Sequence, residues 1–429
     1  MSILNVNKIN PVGGGSTITI AGIASVTSSV TSPSFVGAVT GNVTGNVTGN
    51  VTGDATGLSG NPSINTTGIV TATSFIPTTG QLSHRNIVVN GAMQVIQRGS
   101  STVAGAHNSF AVDRFKFKKE STAANFNMTQ STTSPDGFSK SLKVDCTSAD
   151  TSTAHNEFVM VRYSIEAQDL QQLGYGTSGA KPLVLSFYVR SSLTGTYSIN
   201  CLQQDNSSKI YSRTYTINSA NTWERKTISI PADTSGVIND DNGEGLQFNF
   251  NLVLGSSFKG SAVSTVWETY ANDKWGSQHG INLASSTSNE WYLTGVQLEV
   301  GSVATPFEHR SFADELRRCQ RYFHIIKTGS GEEKYVGQLQ VYASGNCHGK
   351  YFHFPVTMRA IPTTTLSGTI TPTNASGNFS SNFSSATFDR NTTEFVGSNN
   401  TSGSSGLTAG NTAAIGLRQN SSISSSAEL

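Results

Sequence analysis

The stretch Gly245-Leu-Gln-Phe-Asn-Phe-Asn-Leu-Val-Leu254 sets large apolar side chains at Leu246, Phe248, Phe250, Leu252 and Leu254 against Gln247, Asn249 and Asn251. A period of two is the signature of a β-strand, because successive side chains leave opposite faces of the pleat. One oily and one polar face predict an antiparallel sheet with a solvated side. On that reading Phe250→Asp ruins the core, whereas Asn249→Asp is nearly silent. The same alternation recurs in Leu183, Leu185, Phe187 and Val189, in Val159, Val161, Tyr163 and Ile165, and in Tyr197, Ile199 and Cys201. Gly, Asn and Ser separate these runs without the spacing of strand-helix-strand units. An antiparallel sandwich or jelly roll over residues 86–308 is therefore expected.

The chain on either side differs in composition. Thr40 to Gly57 reads TGNVTGNVTGNVTGDATG, and residues 1–80 hold two charged side chains, Lys8 and Asp54. Such a segment has too few large apolar residues to build a core alone, yet is rich in β-branched ones. Pairing with copies of itself predicts an extended oligomeric β stem over residues 1–85. Fully extended, the array reaches roughly 60 Å. A flexible low-complexity linker is the other reading that this composition allows.

Ser311-Phe-Ala-Asp-Glu-Leu-Arg-Arg-Cys-Gln-Arg-Tyr-Phe323 shows helical spacing of Phe312, Leu316, Cys319 and Phe323, with Ser311 and Asp314 as a capping start. This predicts a linker helix at 309–323 whose oily stripe seals the body, so that residues beyond Phe323 are dispensable for folding it. Beyond it, alternation at Phe352, Phe354, Val356 and Met358 and the spaced anchors Phe379, Phe383, Phe388 and Phe395 predict a small C-terminal β-domain over 324–429. The fold class is thus mainly β: stem, sandwich, short helix and outer β-domain.

Of 429 residues only 13% are charged, and the formal net charge is +1. That charge gives no field to draw nucleic acid, and no basic cluster alternates with aromatics. No run is long and apolar enough for a membrane span, and the N-terminus lacks the basic and apolar regions of a signal peptide. The expectation is no nucleic acid, no membrane insertion and assembly in a reducing cytoplasm, with Cys146, Cys201, Cys319 and Cys347 as free, buried thiols.

Chemistry-bearing clusters are sparse. Cys347, His348 and His353 lie close, but the two histidines project to opposite faces of a strand. Asp240, Asn242 and Glu244 alternate in a short acidic turn without the terminal bidentate acid of a calcium loop. No catalytic residue, cofactor or metal ligand is assigned. Sugar binding needs aromatic faces and planar polar side chains. Trp267, Tyr270 and Trp275 with Asn272, Asp273 and Gln278 supply both in one loop, where aromatics plugging the sandwich are the competing account.

Three stretches resemble tail-fibre and receptor-binding proteins of tailed bacteriophages. They are Asn86-Ile-Val-Val-Asn-Gly-Ala-Met-Gln-Val-Ile-Gln-Arg-Gly99 with Val112-Asp-Arg-Phe115, Trp291 to Glu308, and His309 to Phe323 with Phe354-Pro-Val-Thr-Met-Arg359. The TGNV array resembles N-terminal parts of virion proteins of marine cyanobacterial phages. The resemblance implies a carbohydrate-binding-like jelly roll in a homotrimer. Residues 1–85 would be held by a virion tail or adaptor protein, and the outer end would meet a host-surface glycan or receptor. It carries over no sugar-binding or catalytic residue. A purely structural neck or capsid-decorating fibre and a glycan-degrading tailspike are the alternatives.

Overall fold

The computed structural model describes residues 83–429 apart from 99–101, 206–207, 261–263, 345, 374–381, 384 and 403–406. All but the last three residues of the expected stem lie outside the described residues.

The alternating segments fold as antiparallel strands. They are β1 (Thr102–Ala104), β2 (Ser109–Val112), β3 (Phe115–Glu120), β4 (Asn125–Ser131), β5 (Ser141–Ser148), β6 (Phe158–Glu166) and β7 (Leu183–Ser191). There follow β8 (Gly195–Gln203), β9 (Lys209–Ile217), β10 (Glu224–Ile230), β11 (Glu244–Leu254), β12 (Glu268–Thr269) and β13 (Glu290–Val300). Two sheets form, a six-stranded one in the order β1-β4-β5-β13-β7-β10 and a seven-stranded one in the order β12-β9-β8-β11-β6-β3-β2. Leu246, Phe248, Phe250 and Leu252 point between them and meet Leu185, Phe187, Trp291 and Leu293 in one core. The rings of Phe187 and Phe250 meet edge to face, 5.2 Å apart.

Two details of β11 depart from the expectation. A register shift between Asn251 and Val253 inserts an extra residue, so Leu252 and Val253 both join the main core, whereas Leu254 joins a separate cluster with Phe158, Met160, Leu202, Phe258 and Trp275. The polar face is not solvated either: Gln247, Asn249 and Asn251 are buried, Asn249 at 0 % exposure. The chain after β11 folds back over this outer face and supplies main-chain acceptors that alternation cannot reveal. Asn251 and Asn200 both donate to the Trp275 carbonyl, at 3.2 and 2.9 Å.

The helix α1 (Phe312–Gln320) starts at Ser311, whose hydroxyl accepts from the Asp314 N–H. Its buried side is narrower than the expected stripe. Cys319 and Leu316 pack on Val89 and Val95, but Phe312 is 55 % exposed. Phe323 lies on β14 (Phe323–Lys327), beyond the helix end. The helix is rotated because Glu315 turns inward to take the Asn90 N–H and a 2.5 Å ion pair from Arg310.

The remaining strands are β15 (Lys334–Ala343), β16 (Asn346–His353), β17 (Thr363–Ser367), β18 (Ile370–Pro372), β19 (Ser385–Thr387), β20 (Phe395–Ser402), β21 (Thr412–Leu417) and β22 (Ser422–Ser426). They form a three-stranded sheet, β14-β22-β17, and a six-stranded one, β18-β21-β15-β16-β20-β19. A second core of Val336, Leu339, Val341, Ile415, Leu417 and Ile423 lies here, with Phe383 and Phe388 packed into it.

The three stretches that carry the phage resemblance meet at one end of the sandwich. Asn86 donates to the Val296 carbonyl and accepts from the Leu298 N–H, and Val296 N–H donates to Gly91. A side chain at position 91 would collide with the Val296 carbonyl, so glycine alone fits. Asn90 bonds Val95 and Asp113, and Gln97 reaches both Asp113 and the Phe323 carbonyl.

The chain's last residues complete this junction, against the expectation that the helix closes the body by itself. Glu428 sits between Arg98 (2.8 Å) and Arg114 (2.5 Å), and Arg114 is 3 % exposed. A body ending at Phe323 would leave Arg114 buried without its counter-charge. Arg359 adds bonds to the Ala427 and Asn242 carbonyls.

Candidate functional site

The stretch Trp267 to Gln278 is the sequence's candidate, and the structure divides its residues. Trp267 packs against the main core, donates its indole N–H to the Pro231 carbonyl at 2.9 Å and meets the rings of Tyr175 and Tyr211. Trp275 is buried, stacked on Phe258 at 4.6 Å and tilted on Phe158 at 5.4 Å. Both indoles are committed to packing, the second in a small core on the outside of the seven-stranded sheet instead of inside the sandwich. Tyr270 is half-buried; its hydroxyl donates to Asn272 Oδ1 and accepts the Trp275 indole N–H. Asn272, Asp273 and Gln278 are exposed.

This loop walls the outer face of the seven-stranded sheet, where alternation and register assemble a row of polar groups that no single segment displays. In β3 (Phe-Lys-Phe-Lys-Lys-Glu), Phe115 and Phe117 enter the core, which sends Lys116 and Lys118 outward. Val161 and Tyr163 do the same on β6 and send Arg162 outward. Pairing then sets Lys116 beside Arg162, Arg162 beside Asn249, Asn249 beside Asn200, and Asn200 beside Ser212. Within this row Arg162 Nε donates to Asn249 Oδ1 at 2.9 Å, and Asn249 Nδ2 donates to Asn200 Oδ1 at 2.7 Å.

The row has a closed and an open end. At the closed end Ser212 donates to the Lys274 carbonyl. One step along, the Ser198 N–H and the buried His279 Nδ1 lie 3.1 Å apart. Burial pushes the His279 imidazole down to about 3, so it is neutral at physiological pH. At the open end Lys116, Lys118 and Arg162 are half-buried. Burial, then the charges of Arg162 and Lys116, lower Lys118 to about 8. Burial also lowers Arg162, against the opposing pull of Glu244 and Tyr270, which places the loop's tyrosine within electrostatic reach of that guanidinium.

A hollow of about 760 Å³ lies where Glu308–Ser311, α1 and Val356–Thr357 converge. Two of its four arginines are already spent. Arg321 is clamped on buried Glu166 by two 2.7 Å bonds, and Arg310 is held by Glu315 and the Val88 and Asn86 carbonyls. The hollow is therefore built chiefly as mortar of the junction. Elsewhere, Cys347 is buried, His348 meets Tyr342 and His353 meets Phe395. The turn at 240–244 is tied to the C-terminal region through Asn242 and Arg359.

The two lysines stand in a strand signature that the sequence displayed, and Arg162 in another. Their meeting depends on register, which a sequence of this kind does not state.

No protein-family model matches the chain, and no curated protein matches its sequence. Among solved structures it is similar to the enzymatically active domain of tailspike protein 4 of bacteriophage CBA120, at 13% identity and a TM-score of 0.28, over 50% of this chain and 21% of that one. It is also similar to a family 11 carbohydrate-binding module of Clostridium thermocellum solved with a mixed-linked tetrasaccharide, at 12% identity and a TM-score of 0.23, over 49% of this chain and 100% of that one. A xylan-binding domain from Paenibacillus barcinonensis is 7% identical with a TM-score of 0.24, over 53% of this chain and 100% of that one. At these scores the likeness carries no statement about what this chain binds.

Proposed function

We infer that this chain is a non-catalytic phage tail-fibre protein that adheres to host-surface glycans. The observation that carries the adhesion reading is the open end of the polar row. There a guanidinium and two amines share one face of adjacent strands, with the half-buried Tyr270 ring in electrostatic reach of the guanidinium and hydrogen-bonded to exposed Asn272. Such a surface offers planar hydrogen-bonding groups for hydroxyls and a ring edge for a sugar face. The tail-fibre part rests on the three resembling stretches, which the fold gathers into one interlocked junction.

On this reading the protein works as a homotrimer in the virion, with residues 1–85 held by a tail or adaptor protein. Three weak sites on a rigid body combine through effective concentration into firm attachment. The C-terminal region is a second contact surface.

Binding of the purified full chain to surface polysaccharide from candidate hosts tests this, together with an assay for reducing-sugar release. Retention without release, weakened several-fold by Tyr270→Ala, is the expected result. A chain that binds no glycan and is located by electron microscopy at the neck or capsid would be a structural spacer. Release of reducing sugar would make it a depolymerase.

A further inference from the structure

We propose that the glycan held at the open end of the polar row is an acidic one, whose carboxylate or sulfate oxygens seat between Arg162 and Lys118. This rests on the adhesion reading above and names its ligand class.

The argument begins with the strand register. Lys116 and Arg162 are direct cross-strand neighbours on one face, and Lys118, opposite Met160, is diagonal to Arg162. Like charges directly opposite each other on a sheet are destabilising, their Cβ atoms being only about 5 Å apart. The sheet therefore holds three cations together at a cost, unless an anion lies among them.

Among the described residues the chain's own anions act on these cations from nearby but pair directly with neither Arg162 nor Lys118. Glu428 is spent on Arg98 and Arg114, and Glu244, which accepts the Ser164 hydroxyl, pulls on Lys116, Lys118 and Arg162 through its charge without a hydrogen bond or ion pair to any of them. Lys116 donates to the Leu429 main-chain oxygen. Arg162 uses its Nε on Asn249, which fixes the plane of the guanidinium. Its two Nη groups and the Lys118 amine have no hydrogen-bond or ion-pair partner among the described residues. The low value of Lys118 comes from burial first and then from the charges of Arg162 and Lys116, against the opposing pull of Glu244 and Glu120.

A guanidinium of fixed plane presents a fork that matches two oxygens of a carboxylate or sulfate, and an adjacent amine adds a point charge. Single-stranded nucleic acid fits less well. It needs several aromatic platforms between its cations, and here the described residues place Tyr270 near Arg162 and the Phe110 ring 5.6 Å from the Lys116 amine, in a chain of net charge +1.

The test titrates the full chain with oligogalacturonate, dextran sulfate, neutral dextran and an oligothymidylate, and follows acylation of Lys118 by mass spectrometry. One or both charged glycans should bind at least tenfold tighter than neutral dextran and protect Lys118, and Arg162→Gln with Lys118→Gln should remove that advantage. Which of the two binds tells carboxylate from sulfate. If the double variant fails to fold, protection of Lys118 in the wild-type protein decides. Equal binding of neutral and charged glycans, or charged glycans that leave Lys118 unprotected, overturns the inference and leaves the adhesion reading intact. Oligothymidylate binding as tightly as the acidic glycans also overturns it. Failure to bind any glycan overturns both.

Discussion

Glu428→Gln is the substitution that most directly tests how the chain's end is tied to the sandwich. The glutamate accepts from Arg98 at 2.8 Å and Arg114 at 2.5 Å. Arg114 also donates to the Ser164 carbonyl at 2.6 Å and lies 3.3 Å over the Tyr322 ring. An amide keeps the shape of the site but removes its charge and aims N–H groups at a guanidinium. Breaking a buried pair by removing one partner costs about 3–5 kcal/mol, because the other charge stays buried and uncompensated. For a domain of this size that is a fall in Tm of about 6–20 °C. Calorimetry and urea titration of the full chain measure it. Arg114→Met combined with Glu428→Leu should recover most of the loss, since an apolar pair carries no unpaired charge.

The same pair fixes a pH signature. Burial pushes the Glu428 carboxyl up, but Arg114 and Arg98 outweigh it and hold it below its ordinary value. A carboxyl depressed by folding contributes stability above its unfolded pKa of about 4.3 and loses it as pH falls through the folded value. Wild type and Glu428→Gln should thus differ fully at pH 7 and draw together only as pH falls from about 4.3 toward the lower folded value. A loss under about 1 kcal/mol at pH 7, or a double variant no better than the single one, would refute the reasoning.

Three further outcomes follow from the fold. Asn249→Asp should cost about 1–3 kcal/mol in urea titration, because its Nδ2 donates to Asn200 Oδ1 and a carboxylate there would face an acceptor; a silent change would show that the outer face is solvated after all. His279 is neutral and buried, at about 3 in the fold. Between pH 6.5 and 4 the unfolded chain binds a proton that the folded one refuses, so stability should fall by about 3 kcal/mol, a slope that His279→Asn should remove. Gly91→Ala should cost about 1–3 kcal/mol by forcing the opening segment off the Val296 carbonyl, seen as a lower Tm; unchanged Tm would mean that the contact yields freely.

What could be read directly was what period two reports. Phe248 and Phe250 face the core because one-residue steps alternate faces, and Ser311 caps α1 because its hydroxyl and the Asp314 N–H are local partners. What could not be read is whatever covers an element from outside. Asn249 carries a polar side chain for a buried partner as readily as for water, so its burial depended on where the 264–280 loop folds back. Trp275 illustrates the converse, since an aromatic in a polar loop reads as a sugar platform or as a plug of the sandwich until Phe158 and Phe258 are placed against it on the outside of the sheet.

The sequence by itself determined the strands, their inward faces and the capped start of the helix, because these rest on interactions within a few residues. Only the tertiary structure decided that Lys116, Arg162, Asn249 and Asn200 stand in one row, and that Glu428 lies between Arg98 and Arg114. The first depends on strand order and register, the second on a contact spanning more than 300 residues. Local periodicity contains neither, because both are set by the packing of the whole chain.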